Sequence, residues 1–217
     1  MVHPILVDIS YKYLVDYVLA RFSGSKGGRF RELIKKIADG TINSIEINSY
    51  YKELKELVDP GLIETEPYQL TEIGEKVLLA LDSIMNLNPR ILNGLERNTQ
   101  VKIMILESLL KEGIQTLADL QRILPISRPT LNKYVEELAN MGLVRRNPNK
   151  KVILLDDGRK LLSLIYQSAS EIATVLVKKM SVPGIYVVKR GSIRPERLSR
   201  QDIILKVTSK GEIIPIL

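Results

Sequence analysis

In Ser127-Arg128-Pro129-Thr130-Leu131-Asn132-Lys133-Tyr134-Val135-Glu136-Glu137-Leu138-Ala139-Asn140-Met141-Gly142-Leu143-Val144 the apolar residues Leu131, Tyr134, Val135 and Leu138 recur at helical spacing. They predict a helix with one buried face. Ser127 suits its N-cap, where a hydroxyl accepts an orphan backbone N–H, and Pro129 is tolerated in the first turn. Gly142 can take the positive φ that ends a helix. Upstream, Pro125 cannot continue a helix, having no N–H and a ring that clashes with the preceding turn. Before it, Thr116 starts a short helix carrying Leu117, Leu120 and Leu124. Before that, Asn98 or Thr99 caps a helix carrying Val101, Ile105 and Leu109, which Gly113 ends. Downstream, Leu143–Arg146 and Val152–Leu155 read as two strands joined by the turn Asn147-Pro148-Asn149-Lys150. Three helices followed by a hairpin make a winged helix, spanning residues 100–165.

A diverged copy of the pattern precedes it. Leu57/Leu138, Gly61/Gly142 and Leu62/Leu143 match at an offset of 81, and Leu70/Leu154, Gly74/Gly158, Lys76/Lys160 and Leu78/Leu162 at 84. The extra residues fall between the two strands, where a loop absorbs an insertion. The first copy is read as helices near Tyr11–Phe22, Phe30–Ile37 and Ile45–Val58, a short hairpin over Leu62–Leu70, and a helix near Thr71–Met85.

The stretch from Ser127 to Val144 closely resembles the recognition helix of ArsR- and MarR-like winged-helix regulators of prokaryotes and archaea. It shares their serine start, the Thr130-Leu131 pair, the late Leu138, and Gly142-Leu143-Val144 entering the wing. Leu70-Thr71-Glu72-Ile73-Gly74 resembles the strand-to-helix junction after such wings. The resemblance covers most of residues 100–165 closely, residues 10–85 loosely and residues 181–217 not at all. It implies a DNA-binding fold class. The cysteines of metal-sensing ArsR proteins are missing, because the chain has none.

Charge points the same way. Residues 1–90 hold 11 Lys+Arg and 13 Asp+Glu, whereas residues 91–217 hold 21 and 12, so +9 of charge sits in the second part against −2 in the first. Such an excess attracts polyanions. With the apolar face of the second recognition helix spent on the core, Arg128, Thr130, Asn132 and Lys133 are left outward near its start. Arginine can pair with guanine, asparagine with adenine, and threonine can touch a thymine methyl. The wing Arg145-Arg146-Asn147-Pro148-Asn149-Lys150-Lys151 suits phosphate or minor-groove contact, with Arg145, Arg146, Asn149, Lys150 and Lys151 as its contact residues. The first copy offers Glu46, Asn48, Ser49, Tyr51 and Lys52, and its wing Glu64-Thr65-Glu66-Pro67-Tyr68 is acidic and would repel phosphate. The stretch Ser23-Gly24-Ser25-Lys26-Gly27-Gly28-Arg29-Phe30-Arg31 reads as a flexible loop without P-loop order; Lys26, Arg29 and Arg31 could add a secondary DNA contact.

Leu162, Ile165, Ala169, Ile172 and Leu176 are spaced 3-4-3-4 along a long helix from about Gly158 to Met180. This seam serves either the first domain or a second subunit; a homodimer is the expectation. Beyond it, Ile185–Lys189, Ile203–Thr208 and Ile213–Leu217 have strand character. The predicted fold class is therefore mainly α with small β wings: two tandem winged-helix domains, a long helix and a short β-rich C-terminal tail. The boundaries are 1–86, a linker at 87–99, 100–165, a helical extension at 166–180 and a basic tail at 181–217. No apolar run approaches the roughly 20 residues of a membrane span, and no secretory signal opens the chain. A cytoplasmic protein without membrane partner follows. The zero cysteine count fits this, and with abundant Ile and Lys it hints at a thermophilic source. No cofactor, metal site or enzymatic activity is expected, since no His/Cys/carboxylate cluster or nucleotide motif appears. The expected function is a sequence-specific regulator of transcription bound to double-stranded DNA. The alternatives are a plasmid- or virus-type replication or segregation factor, and a winged-helix assembly module in which both copies bind proteins; the acidic first copy keeps the latter open, and a protein partner for the first domain is a further expectation.

Overall fold

The computed structural model describes residues 4–7, 11, 13–96, 98–180, 184–188, 203–207 and 213–216. Strand β1 (Pro4–Val7) leads to a π-helix (Tyr13–Leu19), α1 (Ala20–Phe22), α2 (Gly24–Ala38), α3 (Ser44–Ser49) and α4 (Tyr51–Val58). The hairpin β2 (Ile63–Thr65) and β3 (Tyr68–Leu70) follows, then α5 (Glu72–Leu87) and α6 (Pro89–Gly94). The second half runs α7 (Thr99–Glu112), β4 (Gln115–Thr116), α8 (Leu117–Ile123), α9 (Arg128–Asn140), β5 (Val144–Arg146), β6 (Lys151–Leu154) and α10 (Asp156–Met180). The strands β7 (Gly184–Val188), β8 (Ile203–Val207) and β9 (Ile213–Ile216) close the chain. The architecture is mainly helical with small sheets. Among the described residues no helix is long and apolar enough to cross a membrane, and no group of three or more His, Cys, Asp or Glu could hold a metal ion.

The helix–wing–helix corner recurs at the repeated positions. Gly61 and Gly142 sit at φ +74° and +75° after α4 and α9. Leu62 and Leu143 then donate back to Leu57 and Leu138, each at 3.0 Å. Their own carbonyls accept from Thr71 (3.0 Å) and Leu155 (2.9 Å) after the hairpin. Gly74 and Gly158 lie in the first turn of the next helix, where a Cβ would collide with those same two carbonyls. The matched glycines of the sequence thus occupy matched places: one makes the turn and the other lets the following helix close onto the strand.

Those following helices, α5 and α10, pack on each other more extensively than any other pair of elements. Ile73, Val77, Leu81 and Ile84 are buried from α5, and Leu162, Ile165, Ala169 and Ile172 from α10, with Lys76 of α5 bridging Glu171 of α10 at 3.3 Å. This corrects the dimerisation seam. Leu162, Ile165, Ala169 and Ile172 are fully buried within one chain, so they present nothing to a second subunit; the side chain of Leu176 lies outside the described residues. The core is one continuous cluster running from the π-helix (Leu14, Val15, Val18) through α5 and α10 to α7 and α9.

Three further expectations change. The glycine-rich stretch Ser23–Arg31 is the start of α2 rather than a loop, because Gly27 packs against the Phe22 backbone where a Cβ would not fit. The linker contains a helix: Asn88 caps α6 by accepting from Arg90 N at 3.0 Å, and Pro89 occupies its first position. The N-terminal strand leaves the first domain. β1 pairs in parallel with β7 at the edge of a four-stranded sheet ordered β1-β7-β8-β9. The tail strands are present at β7, β8 and β9, while residues 189–202 and 208–212 of the basic tail lie outside the described residues.

Candidate nucleic-acid interface

The interface is set by three local solutions in sequence. Thr116 caps α8 in a capping box: its hydroxyl accepts from Asp119 N at 3.2 Å and the Asp119 carboxylate accepts from Thr116 N at 3.0 Å. The hydrogen bonds from the Thr116 side chain and backbone hold the Asp119 carboxyl below its ordinary pKa, with nearby Arg122 and Lys151 adding to the effect. Pro125 and the cap Ser127, which accepts from Thr130 N at 3.4 Å, turn the chain into α9. Leu131, Tyr134, Val135 and Leu138 then face the core. Asn147 shapes the wing: its side chain accepts from Lys151 N at 2.9 Å, and its backbone N–H donates to Lys151 O at 2.9 Å.

On that frame Arg128 and Lys133 are exposed on α9, and Arg145, Arg146, Asn149, Lys150 and Lys151 are exposed on the wing. Thr130 is half-buried, its hydroxyl 2.8 Å from that of Ser127. Asn132 is half-buried and bonded at both ends. It donates to Glu136 Oε1 at 2.7 Å and accepts from Arg146 Nη1 at 2.9 Å. The structure thus joins the recognition helix to the wing through Asn132 and Arg146. Sheet β4-β6-β5 carries the wing, with Thr116 opposite Lys151, so the start of α8 lies beside the wing's base.

Residues 99–145 match a family model described as winged helix-turn-helix DNA-binding. The chain carries one such DNA-binding domain there. The matched segment runs from α7 into β5 and stops before the wing tip, which the geometry supplies. Comparison with curated proteins and with solved structures gives no match.

The first repeat's sites fare differently. Arg29 is held by Glu53 at 2.8 Å and lies over the Tyr50 ring at 5.0 Å. Arg31 donates to the Phe22 carbonyl and to Asn93 Oδ1 at 3.4 Å, and burial lowers its pKa. Both thus have partners within the chain, Arg29 as an exposed ion pair and Arg31 as a partly buried donor, while Lys26 is exposed. The third helix is broken at Tyr50 into α3 and α4, so Glu46, Asn48 and Ser49 sit on one piece and Tyr51 and Lys52 on the other. Glu46 is spent on Lys36 and on the Asn43 capping box.

One residue behind the winged helix gives no signal in sequence. Lys102, between Val101 and Ile103 on α7, is 1% exposed. Its ammonium donates to Gly94 O at 2.6 Å and pairs with Glu137 at 2.7 Å. It ties the end of α6 to the buried side of the recognition helix. Asn88 adds a bond from the start of α6 to Met141 O at 3.1 Å.

Proposed function

We propose that the protein is a sequence-specific regulator of transcription that binds double-stranded DNA, laying α9 in the major groove and the β5–β6 wing on the phosphate backbone. The observation that carries this reading is a contrast in charge pairing. Arg128, Lys133, Arg145, Arg146, Lys150 and Lys151 are exposed, and none forms a salt bridge among the described residues. A row of cations outside any salt bridge on a helix start and its wing, with Lys151 near the Asp119 carboxylate, is available to phosphates and base edges. In the first repeat, Arg21, Arg29, Lys35 and Lys36 are neutralised by Glu56, Glu53, Asp82 and the pair Glu32 and Glu46.

A second role belongs to the first repeat, as a winged helix whose surface suits protein rather than DNA. Ile45 on α3 and Tyr51 on α4 are 80% and 68% exposed, and the exposed wing residues Glu64 and Glu66 are acidic. Exposed apolar side chains and an acidic wing on the same repeat suit a protein partner better than a polyanion. The DNA reading is tested by titrating duplex at several salt concentrations. The log–log slope should be about −0.9 per phosphate contacted. Replacing Arg145, Arg146, Lys150 and Lys151 by Ala should flatten it; an unchanged slope removes the wing from the interface. Sequencing DNA pulled down from cells separates a regulator, enriched at promoters, from a replication or segregation factor, enriched at an origin or a repeated array.

A further inference from the structure

Glu136 is a carboxylate one turn beyond the DNA-facing start of α9, where it would repel phosphates. Its place is explained by what it holds. The Asn132 amide donates to Glu136 Oε1 at 2.7 Å and accepts from Arg146 Nη1 at 2.9 Å. An ionised carboxylate only accepts and a guanidinium only donates. Turning the amide over would set oxygen against carboxylate and NH2 against guanidinium, so the two charged partners fix which end of Asn132 points where. The amide has two N–H bonds and two lone pairs. One of each is spent internally, and one of each remains.

We propose that Glu136 and Arg146 are positioning residues that set Asn132 to read adenine. This rests on the DNA reading above. The remaining donor and acceptor complement adenine, whose major-groove edge offers the N7 acceptor and an N6 donor. Guanine presents two acceptors there, and thymine and cytosine one polar group each. An amide free to turn would adapt to more than one edge; a held amide does not. The arrangement also couples readout to the wing, because Arg146 belongs to β5 and Asn132 to α9. The wing thus bears on base preference as well as on phosphate.

The consequence runs against simple charge counting. Removing a carboxylate from a DNA-facing helix should strengthen binding to every sequence. If Glu136 positions Asn132, the same change also erases one base preference. The test uses the full chain and selection of bound duplexes from a randomised pool, with affinity for a random duplex measured alongside. Wild type should select adenine at one position, and Asn132→Ala should lose that preference by on the order of tenfold. Glu136→Ala should lose preference at the same position while its random-duplex affinity is unchanged or higher. Glu136→Gln should keep most of it, since its side-chain carbonyl still accepts from Asn132. Thermal melting of each variant establishes that the domain is folded. The proposal is overturned if Glu136→Ala keeps the adenine preference that Asn132→Ala loses, if Asn132→Ala loses none, or if Glu136→Ala weakens all sequences alike. Absence of random-duplex binding by the wild type would overturn the DNA reading itself, a result that the base-preference arms cannot mimic.

Discussion

The two repeats share a corner and differ in what they do with charge. In both, a glycine at positive φ ends a helix, a hairpin follows, and a second glycine lets the next helix close onto the first strand. On the second repeat, α9 is a continuous helix after a capped turn, and the cations on it and its wing have no salt-bridge partners among the described residues. On the first, the corresponding helical run is broken at Tyr50, and Arg21, Arg29, Lys35 and Lys36 are bound to carboxylates of the same repeat. The difference teaches that the corner is set by backbone demands that survive divergence, whereas the surface is free to change. A shared corner therefore does not assign the first repeat a shared ligand. The repeats also pair, through the equivalent helices α5 and α10. The apolar seam that in the sequence suggested two subunits joins two halves of one chain.

That pairing can be broken directly. Ile165, on α10, is fully buried. Ile165→Ala should cost about 2–5 kcal/mol, the range for truncating a buried aliphatic side chain. Ile165→Asp should unfold the protein rather than release a folded monomer, because an unpaired carboxylate would enter the core. Urea unfolding of the wild type should show one transition by fluorescence and circular dichroism together, since the core is continuous. Two transitions, or a folded Ile165→Asp variant of half the wild-type mass in light scattering, would restore the seam to a subunit interface.

Second in expected size is the contrast in DNA contact. Arg128 is exposed at the start of α9 and makes no salt bridge among the described residues. If it pairs with a guanine, Arg128→Ala should reduce discrimination between selected and random duplex by roughly 1–3 kcal/mol. Lys52→Ala on the first repeat should leave that gap unchanged. A larger loss from Lys52 than from Arg128 would show that the first repeat reads the duplex and that the pairing of its charges misleads.

What could be read in advance follows the range of the interactions involved. Local signals suffice for the winged helix of residues 99–145: Thr116 with Asp119, Ser127 before Pro129, and Gly142 each fix an end of an element within a few residues. The cations of α9 and the wing were legible because a helix face and a hairpin tip leave few alternatives. Asn88-Pro89 lies in the expected linker at 87–99, but asparagine followed by proline is also a helix start, and it is one here. The glycines of Ser23–Arg31 suggested looseness, whereas close packing of Gly27 on Phe22 requires them. The two-residue β4 is too short to show a period. Nothing local marks the pairing of β1 with β7, the burial of Lys102 or the partner of the α10 seam. Each depends on which distant elements meet.

The junction between the halves gives the smallest effect. Tyr11 stands ahead of the π-helix; its hydroxyl donates to Glu107 Oε1 of α7 at 2.6 Å, and Tyr166 of α10 donates to the same oxygen at 2.8 Å. Burial raises the Glu107 carboxyl above its ordinary value of 4.5, against the opposing pull of the two tyrosine hydrogen bonds. The unfolded chain, with the ordinary value, gives up this proton first. Between the two pKa values the native state holds more protons than the unfolded one, so stability falls as pH rises. The contribution is fully present below the unfolded value and lost through the raised native one. A single group cannot give a slope steeper than about 1.4 kcal/mol per pH unit. Urea midpoints from about pH 4 to about pH 8 should therefore drift down for the wild type relative to Glu107→Gln, which does not titrate and keeps an acceptor for a tyrosine. The opposite drift, with the wild type gaining on the variant as pH rises, would mean that the two hydroxyls outweigh burial. The N-terminal segment would then be held to the second repeat by a charged clamp rather than by one that weakens on ionisation.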